Sequence, residues 1–385
     1  MIVLVWLSAT GVAVSLAYYL VATVIALRFA RGVAVPLPAL PKIPPKIAVL
    51  KPLHGRSDSL GQNLISYLET DYPRAEFIFG VESYEDPAAG VPVALRPPYQ
   101  FANILMVVGE EPGCANRKVA KLIRMAERSE KAEIFVLSDA DVRVDRDHLR
   151  RVVAELLTRD ELGIVTCMYR ALPAGGLASH LEALFVNTDF VPMVLTSAAI
   201  EPLRHAMGAT IAIKRKTLEA IGGFRVVKDV LADDFHIGRI AAERGFDIRI
   251  SSSIVTDVCE ERTLGDFWNH QLRWSRTYRN VRPISLATIC IHGPFWALML
   301  MIATGASTAS LAAFLAILAA RLTMSALLLS RVLSLPTLRR DLWLVPLKDL
   351  IMTAIWFASL WSNRVLWAGR RFEVLRGGGM RELSS

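Results

Sequence analysis

Long apolar stretches lie at both ends of the chain, and short apolar runs alternate with polar segments between them. Residues 1–27 contain no charged side chain, and Arg28 and Arg31 follow. At about 1.5 Å per residue this stretch is long enough to cross a bilayer, and it is too long for the core of a signal peptide. Because basic residues favour the cytoplasmic side, the pattern predicts a transmembrane anchor over 1–28 with a cytoplasmic segment after it.

A proline-rich segment, 29–45, separates this anchor from the rest of the chain. Five of the ten residues from 36 to 45 are proline. Proline fixes its own φ and has no backbone N–H, so this density is incompatible with a helix or a central strand. We expect a stiff spacer that holds a domain away from the membrane.

Residues 46–283 have the pattern of an α/β domain. Nearly continuous apolar runs alternate with segments of helical periodicity, at 59–68, 118–127 and 147–158 among others. The apolar runs lie at 46–53, 75–82, 104–109, 133–139, 163–169 and 246–251. Such strands indicate a mostly parallel sheet with helices on both faces. No GxGxxG follows the first strand, which weakens a dinucleotide-binding interpretation.

Residues 284–369 are predicted to form further membrane segments. Apolar spans are expected near 286–304, 307–330 and 342–362, the last of which contains Lys348 and Asp349. Three complete crossings would place the basic tail, 370–385, outside the cytoplasm, against the distribution expected of basic residues. The sequence therefore favours one C-terminal segment that is re-entrant or lies in the interface, which returns the tail to the cytoplasm.

The composition supports this division of the chain. Of its 385 residues 53% are hydrophobic and 21% charged, and the mean hydropathy is +0.38. An ordinary soluble globule is disfavoured by the hydropathy, and a fully embedded channel by the 44 basic and 36 acidic side chains. The net charge of +8 suits anionic lipid or phosphate-bearing ligands. Outside the membrane-proximal regions no basic run interleaved with aromatic residues points to nucleic acid, and the four cysteines form no CxxC pair.

Asp139 and Asp141 follow the apolar run that ends at 137. Ligands of open α/β sheets collect beyond the carboxyl ends of strands. Two aspartates two positions apart point the same way in extended chain and can hold one hard cation, which would neutralise a diphosphate. The alternative is a pair of turn-forming aspartates. A second acidic group, Glu82 to Asp86, also follows a strand.

Two later motifs complete the candidate chemistry. Asp233 and Asp234 offer a carboxylate that can deprotonate an incoming hydroxyl, although either can equally cap a helix. Arg273 and Trp274 lie in a stretch, 264–282, that is typical of an amphipathic interfacial helix. They are either a membrane anchor or a binding site for a diphosphate leaving group.

The order of these motifs resembles the family-2-like glycosyltransferases, and their detail is similar to the ceramide glucosyltransferase family. The matching stretches cover most of residues 46–283 in the family's order. They lie at 51–55, 68–88, 116–122, 138–144, 208–224, 231–251 and 272–279. The terminal membrane segments also fit the family's layout.

The resemblance assigns roles to individual residues. Asp86 matches the family's first aspartate, with Glu82 beside it near the nucleotide, and Asp139 matches the second. Asp141 would be the metal-binding companion of Asp139, and Asp234 the base.

Three further assignments follow from the same resemblance. Arg273 and Trp274 match the end of the (Gln/Arg)-x-x-Arg-Trp signature, whereas His270 stands where Gln or Arg is expected. Asn116 and Lys118 match a stretch near the nucleotide.

The resemblance implies a GT-A fold, a UDP-sugar donor, Mg²⁺ or Mn²⁺, and inversion at the anomeric carbon. It implies transfer of glucose to ceramide, with transfer of N-acetylglucosamine to a hopanoid lipid as the alternative. A catalytically inactive lipid-binding protein and a transport pore are further alternatives, the latter disfavoured by the few polar groups in the membrane segments. We expect a multi-pass protein of a bacterial inner membrane, with its catalytic domain in the cytoplasm.

Overall fold

The computed structural model describes residues 1–33 and 39–383, so two prolines of the predicted spacer, Pro36 and Pro38, lie outside the described residues. The strands are β1 Ile47–Pro52, β2 Ala75–Val81, β3 Asn103–Val108, β4 Ile134–Leu137, β5 Val142–Arg143, β6 Leu162–Thr166, β7 Tyr169–Pro173, β8 Ile211–Lys214, β9 Asp247–Ile250, β10 Val255–Cys259, β11 Arg364–Trp367, β12 Arg370–Val374 and β13 Met380–Glu382. The α-helices are α1 Ile2–Val33, α2 Leu60–Leu68, α3 Gly90–Leu95, α4 Arg117–Arg128, α5 His148–Leu156, α6 Gly176–Phe185, α7 Val191–Ile200, α8 Arg215–Ala220, α9 Asp233–Glu243, α10 Leu264–Val281, α11 Gly293–Ala303, α12 Thr308–Leu327 and α13 Val345–Ser359.

A seven-stranded sheet organises the predicted catalytic domain, in the order β3-β2-β1-β4-β8-β6-β9. All six strands predicted for this domain belong to it, and the pairs among β3, β2, β1 and β4 and between β6 and β9 are parallel. The seventh strand, β8, was not predicted, and it is antiparallel to both its neighbours. The expectation of a mostly parallel α/β sheet is thus confirmed. Every residue of β1 is buried, as expected of a strand covered on both faces.

A small sheet, β5-β10-β7, lies beyond the carboxyl end of β4. β5 begins directly after the Asp139–Asp141 segment and pairs with β10, so that Val142 is the partner of Asp257. The small sheet therefore brings an aspartate from late in the chain beside the aspartates that follow β4.

A long apolar helix also runs through residues of the predicted soluble domain. α6 and α7 are joined by the π-helical turn Val186–Phe190 into one element, Gly176–Ile200, that is long and apolar enough to cross a membrane. The sequence analysis did not identify it. Its preceding strand, β7, and its following strand, β8, both belong to the catalytic domain. Because both ends return to one domain, this helix cannot deliver the chain across a membrane. We call it the platform helix.

Three other helices of the described residues pass the same test of length and composition, namely α1, the α12 segment to Val332, and Pro336–Ser359, which includes α13. A fifth candidate is the pair Pro283–Ile291 and α11, bent by 58°. The predicted span at 286–304 is therefore a broken helix, and its hydrogen-bonded ladder is interrupted before Gly293 and Pro294.

Four charged side chains join the membrane-type helices to the platform helix. These are Asp189, Arg321, Lys348 and Asp349, which we call the membrane-side tetrad. The Arg321 guanidinium donates to Asp349 through Nε and Nη2, both at 2.9 Å, and through Nη2 to Asp189 at 2.8 Å. Lys348 Nζ lies 2.7 Å from Asp349 and also contacts Asp189. Unpaired charges at Lys348 and Asp349 would be energetically costly in lipid, and the structure gives each of them an ion-pair partner.

The predicted basic tail, 370–385, contributes β12 and β13 to an ordered sheet, whose third strand, β11, comes from the end of the predicted membrane region 284–369. We call β11-β12-β13 the C-terminal sheet. Its inward residues, Val365, Phe372, Val374 and Met380, pack on Leu231 of the catalytic domain. These apolar residues alternate with exposed, mostly charged residues, which is a strand pattern that the count of basic residues did not take into account. The tail therefore lies on the same side as the catalytic domain.

Candidate active site

One cavity of about 1230 Å³ extends from the carboxyl ends of the sheet strands to the membrane-type helices. Its polar end is lined by Glu82, Lys118, Asp139 and Asp234. The apolar end is lined by side chains of the platform helix, the segment 283–291 and α13. They include Phe190, Met193, Val194, Ile284, Leu286, Ile291, Met352 and Trp356.

The predicted metal-binding pair lies at the polar end. Asp139 Oδ1 is 2.7 Å from Lys118 Nζ, which leaves its Oδ2 facing the cavity. Asp141 is exposed to the cavity, and no other described residue donates a hydrogen bond to its carboxylate. Desolvation in the cleft, with Asp139 adding repulsion, raises the pKa of Asp141 to about 6. Asp257 lines the same cavity, its carboxylate forms no hydrogen bond with another described residue, and burial raises its pKa as well.

The two aspartates at the start of α9 face this pair. Asp233 is buried and lies 3.3 Å from Lys118 Nζ. Asp234 accepts hydrogen bonds from the backbone N–H groups of Gly208 and Phe235, both at 2.8 Å. A Cβ atom on Gly208 would lie 3.1 Å from Asp139 Oδ2 and 3.1 Å from Asp234 Oδ2. The missing side chain of Gly208 therefore keeps open the space where these two carboxylates approach each other.

Lys118 is the basic member of this group. Burial lowers its pKa, but Asp139, Asp233 and Asp234 outweigh that effect and raise it overall. For the carboxyl of Asp234 burial acts in the other direction and raises the pKa. We call Lys118 with Asp139, Asp141, Asp233 and Asp234 the cleft cluster; it contains four acids and one base.

Sequence reasoning gave no role to Lys51, at the end of β1. This lysine is fully buried, and its Nζ donates to the Asp139 carbonyl at 2.7 Å and to Ser138 Oγ at 3.2 Å. Its Nζ also lies 4.0 Å from the centre of the Tyr67 ring. Burial lowers the pKa of Lys51 to about 7. Lys51 thus fixes the backbone that carries Asp139; its only signal in the sequence is a charge inside an apolar strand.

Of the residues predicted to bind the nucleotide, Glu82 lines the cavity and Asp86 does not. Glu82 lines the cavity and forms an ion pair with Arg117, which lowers its pKa. Asp86 instead accepts from the N–H groups of Gly55 and Ala88, both at 2.9 Å, and is not among the described residues that line the cavity.

Asn116 also lies outside the lining of the cavity. Its Oδ1 caps α4 by accepting from Val119 N at 3.1 Å, and its Nδ2 donates to the Val230 carbonyl at 2.9 Å. The prediction that Asp86 and Asn116 touch the donor gains no support from these positions, because both side chains are used to hold loops together.

The predicted interfacial helix is α10, which begins with a capping box between Thr263 and Asp266. Arg273 points into the cavity, and no described residue forms a hydrogen bond or ion pair with its guanidinium. Trp274 packs edge-on against Phe190 of the platform helix at 5.7 Å between ring centres. The geometry gives Arg273 the position of an anion receptor, whereas Trp274 anchors the helix that carries it.

His270 lies in a second acidic group. Its Nδ1 is 3.1 Å from Glu261 Oε1 and 3.3 Å from Glu182 Oε1. Ligand atoms of these three residues lie within 4.8 Å of one another, which is compatible with metal binding. Glu182 and Glu261 were not identified from the sequence, because they come from separate segments and no spacing links them.

The sequence model of a family described as glycosyl transferase family 21 matches residues 7–380. Ceramide glucosyltransferases 3 and 1 of Caenorhabditis elegans are each 23% identical over 230 residues, which is 60% of this chain and 50% and 49% of theirs. The chain thus spans about half the length of these relatives.

Among solved structures, the chain is similar to a mannosyltransferase from Pyrobaculum calidifontis in complex with GDP-Man and Mn²⁺. The TM-score is 0.55 at 20% identity, with 92% of this chain and 99% of that chain covered. This likeness confirms the GT-A-type fold.

Proposed function

The chain belongs to glycosyl transferase family 21 and is a glycosyltransferase, and from this premise we propose that it transfers a sugar from a UDP-sugar to a hydroxyl of a membrane lipid, most directly glucose to ceramide. The observation that carries the proposal is the single cavity in which the cleft cluster opens onto an apolar compartment. The ceramide glucosyltransferases among its relatives support the choice of donor and acceptor.

A lipid acceptor suits the apolar half of the cavity. Its walls come from the platform helix and from two segments of membrane type, so a lipid entering from the bilayer stays in apolar surroundings. The reacting hydroxyl would lie at the boundary between the apolar wall and Asp234. In this arrangement the lipid tail never has to enter water.

Asp234 is the proposed general base. Its two oxygens are oriented by the N–H groups of Gly208 and Phe235, and burial raises its pKa toward the range useful for a base. Asp234 takes the proton of the acceptor hydroxyl while that oxygen bonds to the anomeric carbon. The bond from the anomeric carbon to the diphosphate breaks on the opposite side, so the configuration inverts.

The donor diphosphate lies, in this proposal, between Arg273 and the cleft cluster. The guanidinium of Arg273 has no partner among the described residues, so the charge that develops on the departing UDP can be paired there. Lys118 and Glu82 line the same end and are proposed to contact the donor.

Mg²⁺ or Mn²⁺ is proposed as the cofactor, held by Asp139 and Asp141. Hard cations prefer carboxylate oxygens, and the Asp141 carboxylate receives no hydrogen bond from another described residue, so the donor set fits. A bound divalent cation supplies positive charge beside the diphosphate. The surplus of acids in the cleft cluster is the feature that such a charge would compensate.

We further propose a multi-pass arrangement with the catalytic domain on the cytoplasmic face of a bacterial inner membrane. Arg28 and Arg31 at the end of α1 favour this side. α11 packs on α12 across a short turn, which suits a pair of opposite crossings. Just before α13, Asp341 pairs with His180 at the start of the platform helix. Just after α13, the chain enters the C-terminal sheet, which packs on the catalytic domain. α13 therefore begins and ends on one side.

The test uses the full-length protein in lipid nanodiscs with labelled UDP-glucose and labelled UDP-N-acetylglucosamine in separate reactions. Ceramide and a polyol-bearing triterpenoid lipid are each offered as acceptors, and the glycolipid is identified by mass. Hexosylceramide with inverted configuration is the expected product. N-acetylglucosamine on the triterpenoid would replace the proposed substrates by the alternative pair. Retained configuration would contradict single displacement.

A further inference from the structure

The hairpin formed by β11 and β12 of the C-terminal sheet has its tip at the cavity. β11 and β12 are joined by Ala368 and Gly369, which have φ of +47° and +74° as in a two-residue hairpin loop. The residues that close this loop, Trp367 and Arg370, are partners in the ladder, and both line the cavity.

Strand register determines which face of the hairpin is turned to the catalytic domain. Directly opposed residues of an antiparallel pair share a face, and neighbours along a strand alternate. Val365 and its partner Phe372 are buried against the catalytic domain, so Trp367 and Arg370, two positions further on, share that inward face. Leu366 and Arg371 form the intervening pair and lie on the outward face.

The C-terminal sheet is fixed to the two segments that carry the proposed chemistry through the turn between β12 and β13. On one side, Leu231 N donates to the Gly378 carbonyl at 3.1 Å, and Met380 N to the Asp229 carbonyl at 2.8 Å, just before Asp234. On the other side, Gly377 N donates to the Asn280 carbonyl of α10 at 3.0 Å. This turn lies at the end of β12 opposite the tip, so the strands that lead to the tip start from a fixed position on both segments.

The start of α4 lies beside this hairpin. Ala115, two residues before Arg117, packs on the same apolar group as Trp367. Arg117 and Lys118 line the cavity from the first turn of α4. The hairpin tip therefore faces the part of the cavity where the donor is proposed to lie, and it adds an arginine and an indole to that wall.

We propose that the hairpin tip forms part of the donor site, with Arg370 binding the diphosphate of the nucleotide and Trp367 forming the wall against the nucleoside; this rests on the proposed function. A guanidinium matches phosphate oxygens in geometry and charge, and an indole face suits a planar base. In the free protein Arg370 pairs with Glu382 at 3.0 Å. Both side chains are more than 40% exposed, so this pair is weak and easily exchanged for a phosphate.

The chain offers a matched control for each residue. Arg371 is the next residue of the same strand and is exposed on the opposite face, so Arg371→Ala removes equal charge without facing the cavity. Leu366→Ala is the control for Trp367, because Leu366 is the neighbouring residue of the same strand and is 50% exposed on the outward face. Any general effect of tail charge or of surface truncation is therefore shared by variant and control.

The experiment measures binding of UDP, with Mn²⁺ present, to the full-length protein by calorimetry, and the KM values for donor and lipid acceptor. Arg370→Ala is expected to weaken UDP binding and raise the donor KM about tenfold, as for loss of a hydrogen bond to a charged group, with the acceptor KM unchanged. Trp367→Leu should weaken UDP binding several-fold, whereas Arg371→Ala and Leu366→Ala should leave it within twofold.

Equal UDP affinity in Arg370→Ala and Arg371→Ala would overturn the inference, as would equal increases in donor and acceptor KM. If the unaltered protein binds no UDP and transfers sugar from neither UDP-sugar, the proposed function itself fails. If the unaltered protein binds UDP and Arg370→Ala binds it equally well, the inference about the hairpin fails alone.

Discussion

Two groups of charged side chains lie along the same cavity and differ in their balance of charge. In the membrane-side tetrad two acids face two bases, and each base contacts both acids. In the cleft cluster four acids face one base, and the carboxylate of Asp141 receives no hydrogen bond from another described residue. The guanidinium of Arg273, at the same end of the cavity, is also without a partner among the described residues.

This difference separates a structural group from a functional one. A desolvated ion pair is tolerated when each charge is matched in good geometry, and such a group has no remaining capacity for a ligand. Unmatched carboxylates in a cleft raise the free energy of the unliganded protein, and a cation or a proton can relieve that cost. The balance of charge, more than burial or number of charges, therefore indicates which group binds substrate.

The largest expected effect is loss of transfer on Asp234→Asn. The amide keeps an oxygen for the N–H groups of Gly208 or Phe235 but cannot accept the acceptor's proton. We expect the transfer rate to fall by about 10²–10⁴-fold, with the melting temperature unchanged or higher. The assay is sugar transfer per folded protein, with the exposed Asp160→Asn as control. A rate within threefold of the unaltered protein would show that the base is another residue.

The membrane-side tetrad should respond in the opposite way. Arg321→Met leaves buried Asp349 and half-buried Asp189 with only Lys348, and the free energy of unfolding should fall by about 3–5 kcal/mol. Arg321→Met combined with Asp349→Leu restores balance between Asp189 and Lys348 and should recover part of that loss. Unfolding in detergent, with transfer per folded protein as the second measurement, checks both. If the double variant is as unstable as the single one, charge balance is not what the tetrad provides.

The sequence predicted much of the cleft and little of the tetrad, for a physical reason. Asp139, Asp141, Asp234 and Arg273 each belong to a local motif at a strand end or in one helix, and the structure brings them to one end of the cavity. The members of the tetrad come from three different helices, the platform helix, α12 and α13, and no local pattern records their pairing. Lys348 and Asp349 could be noticed only as an anomaly within an apolar span.

The remaining differences also arise from contacts distant in sequence. The platform helix has the composition of a membrane span, and only its connection to β7 and β8 shows that it stays with one domain. The C-terminal sheet was not predicted because its arginines resemble an orientation signal, although Phe372 and Val374 already alternate with the charged residues Arg371 and Glu373. Asp86 and Asn116 stay predicted donor-binding residues by resemblance; their observed hydrogen bonds depend on loop geometry that a motif does not specify.

Gly208→Ala tests how closely the acids of the cleft cluster must approach. The new Cβ would lie 3.1 Å from an oxygen of both Asp139 and Asp234, so these carboxylates must separate by a few tenths of an ångström. We expect transfer to fall about tenfold, because positioning of reacting groups tolerates little displacement. Gly61→Ala is the control, since no atom lies within 4 Å of its added Cβ. Equal activity of the two variants would show that the two acids are not held at a critical separation.

The smallest expected effect concerns the stability of the metal-free protein. The carboxyl of Asp141 has its pKa raised to about 6 by desolvation and by Asp139. The folded protein then holds that proton more tightly than the unfolded chain, so stability falls as pH rises from about 4 to about 6 and stays lower above that range. Asp141→Asn should therefore raise the melting temperature at pH 7.5, by about 1–2 °C in a protein of this size, and the gain should vanish toward pH 4.

The same variant should abolish the increase in melting temperature caused by Mn²⁺, because it removes one of the two proposed ligands. Lys348→Met provides the contrast: by unbalancing the tetrad it should lower the melting temperature at neutral pH, with or without Mn²⁺. A lower melting temperature for Asp141→Asn at pH 7.5 would mean that Asp141 stabilises the fold as the tetrad does. The surplus of acid in the cleft would then be a structural feature, and charge balance would no longer distinguish the two groups.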